Sequence, residues 1–204
     1  MYLSQLFLNP RLRQAQIDLA DRYQLHRTVL SAFDPASLPD ERILYRLETV
    51  QAVPMLIVQS ETQPQWEQSA QINRAGYLRF APAVKTYHPV FDREKTLRFR
   101  LFANPTVKRD RKRYALHQEE QQRAWLDRKA LTHGFRVEAV QTRDVRRVAG
   151  RGTRMVWHQV GYEGVLTVID SDAFTQAIRH GIGSAKAFGF GLLSVAPVSI
   201  SSAG

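Results

Sequence analysis

The chain has 204 residues, 44% of them hydrophobic, enough for a sizeable core in one large or two small domains. It has no cysteine, which excludes disulfides and thiolate metal sites and makes a reducing cytoplasm its natural setting, and no apolar run approaches the ~18 residues a membrane span requires. The formal charge of +10 is uneven: residues 1–90 hold nine Lys/Arg against eight Asp/Glu, a net of +1, and residues 91–204 hold twenty against eleven, a net of +9.

Such asymmetry makes a polyanion the simplest partner of the second half, and scattered aromatics without a long basic amphipathic helix favour nucleic acid over a membrane. Met1 to Leu8 is apolar but short, lacks a basic n-region and runs into Asn9-Pro10, so it reads as a strand and not as a signal peptide. Asn9-Pro10 supplies a cap and first-turn proline for a short helix, and a longer helix is expected from about Asp21 to Phe33, ended by Asp34-Pro35. Two strands follow, Arg42 to Thr49 and Pro54 to Gln59. A polar stretch around Pro64-Gln-Trp66 suggests a short helix, and Tyr77 to Val84 a further strand. That βαββαβ order predicts a ferredoxin-like, RRM-like domain.

The helix over 21–33 places Tyr23, His26, Arg27 and Leu30 on one face, at spacing i, i+3, i+4, i+7. A histidine with an unperturbed pKa of ~6.5 can give or take a proton near neutral pH, and a tyrosine one turn earlier can orient a substrate oxygen. The same spacing also fits a half-buried helix face with ordinary hydrogen bonds.

In the second half, Leu97 to Ala103 alternates apolar and basic residues, the pattern of a strand with one core face and one positive face. Asn104-Pro105 breaks it, and the basic run Lys108 to Arg113 that follows reads as a solvated loop or a phosphate-binding segment. Gln118 to Leu131 is expected as a helix with Trp125, Leu126 and Ala130 buried. Phe135 to Val148 and Thr153 to Ile169 read as strands around the glycine turn Ala149 to Gly152. Arg143, Arg146, Arg147, Arg151 and Arg154 crowd that hairpin, where they could track the paired phosphates of an RNA stem.

A short amphipathic helix comes next, with Asp170 or Ser171 as N-cap, Phe174, Ala177 and Ile178 on its apolar face and Gly181 as its stop. After it stands Gly181-Ile-Gly-Ser-Ala-Lys-Ala-Phe-Gly-Phe-Gly191, then a buried strand Leu192 to Ala196 closed by Pro197. Four glycines and one lysine in such a loop suit a phosphate, although the order helix, loop, strand is the reverse of a Walker loop or dinucleotide fingerprint. A helix cap followed by a tight strand entry explains the same glycines. With its last strand the second half repeats βαββαβ, so two tandem ferredoxin-like domains with antiparallel sheets are predicted, over residues 1–88 and 89–204.

Three separated motifs carry a resemblance that spans nearly the whole chain. The glycine loop resembles that of the repeat-associated RNA-binding superfamily, in particular of the CasE-type CRISPR RNA endoribonucleases of type I-E systems. Tyr23-Gln-Leu-His-Arg-Thr28 is similar to a Tyr-x-x-His-Arg-Thr segment of that family, and Phe99 to Arg109 to another of its signatures. The resemblance implies a catalytic role for His26 with Tyr23 assisting. It also implies cleavage of CRISPR repeat RNA at the 3′ base of its stem-loop, and retention of the mature guide RNA among the other subunits of a Cascade complex. Expected RNA-binding residues are Arg27, Lys108, Arg109, the five hairpin arginines, and Gly181, Gly183, Ser184, Lys186, Gly189 and Gly191 of the loop, with Lys112 an alternative phosphate ligand.

No His-x-x-x-His and no paired-carboxylate spacing supports a metal site, no Gly-x-Ser-x-Gly elbow supports a hydrolase triad, and no cofactor is expected. A ribonuclease can work without a metal by activating the substrate's own 2′-hydroxyl for attack on the adjacent phosphate, leaving a 2′,3′-cyclic phosphate and a 5′-hydroxyl. A non-catalytic RNA-binding subunit of a guide-RNA ribonucleoprotein is the alternative reading.

Overall fold

The computed structural model describes residues 1–36, 38, 41–150 and 156–198 and divides into two compact units. The first comprises Met1–His88 with Val148–Trp157 and Ala185–Phe190. The second comprises Pro89–Arg147, His158–Ser184 and the residues from Gly191 on.

In the first unit, β1 (Tyr2–Phe7), β2 (Leu44–Val50), β3 (Val53–Ser60) and β4 (Ala83–Thr86) form an antiparallel sheet in the order β2-β3-β1-β4. Helices α1 (Arg13–Ala20) and α2 (Arg22–Leu30) come between β1 and β2. Alternation on β1 sends Leu6 inward, where it joins Leu25 and Val29 of α2, Tyr45 of β2 and Leu56 and Val58 of β3 in the core.

Several expected boundaries shift for local reasons. Asn9-Pro10 makes a turn instead of starting a helix: the Asn9 Oδ1 accepts from the Arg11 backbone N–H and its Nδ2 donates to the Gly76 carbonyl, so α1 begins only at Arg13. α2 stops at Leu30, short of Phe33, where the Ser31 hydroxyl donates to the Thr28 carbonyl. No helix forms around Pro64-Gln-Trp66. Turns carry Trp66 inward, its Nε1 donating to the Ser4 hydroxyl at 2.9 Å and its ring meeting Phe33 edge-on. The strand expected over Tyr77 to Val84 begins at Ala83, because Tyr77 is drawn into the core, its hydroxyl donating to the buried Asp18 carboxylate at 2.7 Å.

The second unit, apart from Val148–Trp157 at the ends of β8 and β9, carries β5 (Thr96–Ala103), β8 (Phe135–Ala149), β9 (Val156–Val168) and β10 (Leu193–Pro197), which form a sheet in the order β10-β5-β9-β8, with α3 (Glu119–Thr132) and α4 (Ser171–His180) as crossovers. Numbered within its own unit, each sheet runs 4-1-3-2, so both units are ferredoxin-like; among the described residues the first has no helix between β3 and β4. The expected inward faces are found: Trp125, Leu126 and Ala130 on α3, and Phe174, Ala177 and Ile178 on α4, whose N-cap Asp170 accepts from the Ala173 N–H. β10 is an edge strand and not a buried one. It pairs with β5 alone, and burial fades from Leu193 to an exposed Ala196 and Pro197, where the missing N–H costs nothing.

The basic run is not a loop. β6 (Thr106–Arg109) and β7 (Lys112–Ala115) pair as a hairpin whose turn residues Asp110 and Arg111 have φ of 47° and 62°, the left-handed pair that a tight two-residue turn demands.

Candidate active site

α2 is started by Asp21, whose carboxylate accepts from the Tyr23 backbone N–H at 2.9 Å. That cap sets the helix phase. Leu25 and Val29 then point into the core, while Tyr23 and Arg27 are exposed and His26 is half-buried between the two faces. Tyr23 and His26 therefore share the accessible side expected of them.

What surrounds His26 comes from distant sequence. The ring of Tyr45, on β2, lies nearly parallel to the imidazole, with centroids 6.3 Å apart and an interplanar angle of 18°. Phe188 meets the imidazole at 6.0 Å with a 54° tilt, and Trp157 backs Phe188 in a stack at 4.3 Å. The Nδ1 of His26 is buried and makes no hydrogen bond among the described residues. An imidazolium carries N–H donors on both nitrogens, and here one of them would have no acceptor. Burial accordingly holds the His26 pKa below the ordinary value of 6.5, favouring the neutral ring.

Phe188 arrives on a short 3-10 turn, Lys186–Phe188, in the middle of the glycine loop. Ala185 enters the turn at φ 61° and Gly189 leaves it at φ 84°. At Gly189 a Cβ would stand 2.9 Å from the Tyr45 Cε2 and 3.2 Å from the Arg22 Nη1, so only glycine lets the loop come this close to α2 and β2. The Tyr45 hydroxyl closes the contact by donating to the Ala187 carbonyl at 2.9 Å. Lys186, half-buried on the same turn, belongs to the same unit as His26 and Tyr23.

The rest of the glycine loop is built into the second unit. Gly181 closes α4 at φ 71°, the Ile182 N–H donates to the Gly191 carbonyl at 2.9 Å, and the Gly191 N–H donates to the Phe102 carbonyl at 2.7 Å. Gly183, at φ 88°, passes the Trp125 ring with space for little more than a hydrogen, and the Ser184 hydroxyl donates to the Asn104 carbonyl at 3.4 Å. These residues shape the backbone on either side of the 3-10 turn. Gly181, Gly183 and Gly191 thus serve the helix cap and the strand entry.

Of the other expected contact residues, Lys108 and Arg109 lie exposed on β6, and Arg143, Arg146 and Arg147 exposed along β8, all in the second unit. Arg143 donates to the Gln141 side chain at 2.9 Å and lies 4.0 Å from Glu163. Arg151 and Arg154 lie outside the described residues. Sequence reasoning missed Tyr45 and Trp157 altogether, and took Phe188 only as a letter in the glycine motif. Tyr45 and Ala187 are 142 positions apart, and no local periodicity reports such a pairing. Among the described residues no cluster of three or more His, Cys, Asp or Glu is placed to hold a metal ion, and no helix is long and apolar enough to cross a membrane.

A family model described as "CRISPR associated protein" matches residues 1–197. The chain is 37% identical to the CRISPR-associated endoribonuclease Cse3 of Thermus thermophilus, over 97% of this chain and all of that protein. It is 32% identical to the Cascade subunit CasE of Escherichia coli, again over 97% and all of it. In three dimensions it is similar to Thermus thermophilus Cse3 bound to an RNA that represents a pre-cleavage complex, with a TM-score of 0.87 at 36% identity over 96% of this chain and 98% of that one. A likeness in sequence and fold that runs the length of the chain places it in the CRISPR-associated protein family of Cse3 and CasE.

Proposed function

We propose that the protein is an endoribonuclease that cuts CRISPR repeat RNA at the 3′ base of its stem-loop without a metal ion, and stays with the mature guide RNA in a Cascade complex. The observation that carries this reading is the state of His26: a half-buried imidazole favoured in its neutral form, with Tyr23 exposed one turn before it. The names of the relatives, an endoribonuclease and a Cascade subunit, supply the substrate class and the assembly.

In the proposed reaction, His26 is the base. With Nδ1 enclosed, Nε2 takes the proton of the 2′-hydroxyl, whose oxygen attacks the adjacent phosphorus. The P–O5′ bond breaks, the 5′-oxygen takes up a proton from water and leaves as a hydroxyl, and a 2′,3′-cyclic phosphate remains. Tyr23 orients the reacting oxygens, and Lys186 with the nearby backbone N–H groups offsets charge on the phosphate. Arg27, Lys108, Arg109, Arg143, Arg146 and Arg147, with Arg151 and Arg154 beyond the described residues, bind the RNA backbone. We place the catalytic histidine in the domain over residues 1–88, and Arg143, Arg146 and Arg147 of the basic hairpin with Gly181, Gly183 and Gly191 in that over 89–204, while Ala185–Phe190 with Gly189 packs into the first unit.

The test is cleavage of a repeat RNA in EDTA by the wild-type protein and by His26→Ala, with the 5′ fragment's end group determined. Two fragments, one ending in a cyclic phosphate, are expected from wild type and not from the mutant. Binding without cleavage by the wild-type protein would instead mark a non-catalytic RNA-binding subunit.

A further inference from the structure

A catalytic imidazole is commonly oriented by a hydrogen bond to the nitrogen that does not react. His26 has no such bond, since its Nδ1 is enclosed without an acceptor or donor among the described residues. The histidine χ2 torsion is broad and roughly two-fold, so left to itself the ring has no single orientation. Its orientation must come from packing. The packing available is aromatic: Tyr45 lies nearly parallel to it, and Phe188, braced by Trp157, closes at 54°.

The turn that carries Phe188 is tied to β2 by a polar contact. The turn Lys186–Phe188 lies between two left-handed residues, Ala185 and Gly189, and its Ala187 carbonyl accepts from the Tyr45 hydroxyl. Tyr45 is fully buried, and burial pushes the pKa of its phenol well up, so the hydroxyl remains a donor at every working pH. We propose that Tyr45 is a positioning residue for His26: its hydroxyl pins the 3-10 turn so that Phe188 shuts against the imidazole, fixing the ring in one orientation with Nδ1 enclosed. The inference rests on the reading of His26 as the proton-transfer residue.

The charges around the imidazole are consistent with that arrangement. On α2 the neighbours are Arg22, Tyr23 and Arg27, and on the turn Lys186; none is an acid that would hold His26 charged. On β2, Arg46 and Glu48 pair with each other, and on α1 the Asp18 carboxylate is taken up by Thr28 and Tyr77.

Tyr45→Phe tests the proposal, because it keeps the ring that supports the imidazole and removes only the hydroxyl. The freed Ala187 carbonyl is then a half-buried acceptor that has lost its donor, which favours turning the loop toward water and opening the Phe188 side of the pocket. Single-turnover cleavage at saturating RNA should fall by about tenfold to 10²-fold, the scale of a misplaced catalytic group, while RNA affinity stays within about twofold. The His26 imidazole, followed by NMR in the RNA-free protein, should titrate closer to the ordinary histidine value. Phe188→Leu, which keeps an apolar side chain but not the flat ring, should move both readouts the same way. A Tyr45→Phe protein with a wild-type rate and a wild-type His26 titration would overturn the role of Tyr45. Undiminished cleavage by His26→Ala would instead overturn the underlying reading, so the two failures are distinct.

Discussion

The hydroxyl of Tyr45 donates to the carbonyl of Ala187 at 2.9 Å, joining a strand of the first half of the chain to the glycine loop near its end. The loop segment Ala185–Phe190 accordingly belongs to the same compact unit as the helix that carries His26. Residues 185–190 of the glycine motif and the Tyr23–His26 motif, separate in sequence, thus lie in one compact unit.

If His26 moves the proton, His26→Ala should lower the single-turnover rate in EDTA by the ~10²–10⁴-fold that general acid–base assistance is worth, and leave RNA binding nearly intact. Tyr23→Phe should show a smaller loss of the same kind. Rapid cleavage by the alanine variant would remove His26 from the mechanism.

The direction of the His26 shift sets the pH dependence. A base must be unprotonated to act, and burial holds this one below 6.5, so the cleavage rate should rise with pH through a midpoint below 6.5 and be level at neutrality. In stability the sign is the same. The unfolded chain binds a proton at His26 in the window between the depressed folded value and 6.5, so stability should fall as pH drops through that window and level off beneath it. His158, lowered by burial and then by the neighbouring His117, adds to the same slope. Denaturation midpoints between pH 7.5 and 5 for wild type, His26→Gln and His158→Gln check this; each variant should flatten part of the decline.

Gly189→Ala should destabilise the fold by ~1–3 kcal/mol, combining strain at φ 84° with a Cβ driven onto the Tyr45 ring. Thermal unfolding measures it. A variant as stable as wild type would mean that the loop does not need its close approach to β2.

Lys186→Ala should weaken RNA affinity or slow cleavage, because a phosphate contact is lost with the ammonium. Wild-type binding and wild-type cleavage in this variant would return the turn to a purely structural role.

Replacing Arg146 and Arg147 together should weaken binding of the repeat stem and flatten the dependence of log affinity on log salt, since each lost phosphate contact releases fewer counterions. If both quantities hold at their wild-type values, the exposed side of β8 does not meet RNA.

Much of the architecture was legible in local patterns. Alternation announced β5, apolar spacing with an Asp cap announced α4, and i, i+3 spacing put Tyr23 and His26 on one side of α2, because each signal depends only on neighbours within a turn or a pleat. Where local and distant interactions competed, the sequence misled: Pro64-Gln-Trp66 is polar enough for a surface helix, but the pull of Trp66 toward Ser4 and Phe33 made it a run of turns. The basic run Lys108 to Arg113 has no apolar alternation to betray its hairpin, whose pairing is a matter of backbone hydrogen bonds that side-chain chemistry does not encode. The environment of His26 lay furthest from view. Its residue types could be read as chemistry, but the burial that sets its proton affinity comes from Tyr45, Phe188 and Trp157, and desolvation is a property of what folding brings within a few ångströms of a group, which only the tertiary structure decides.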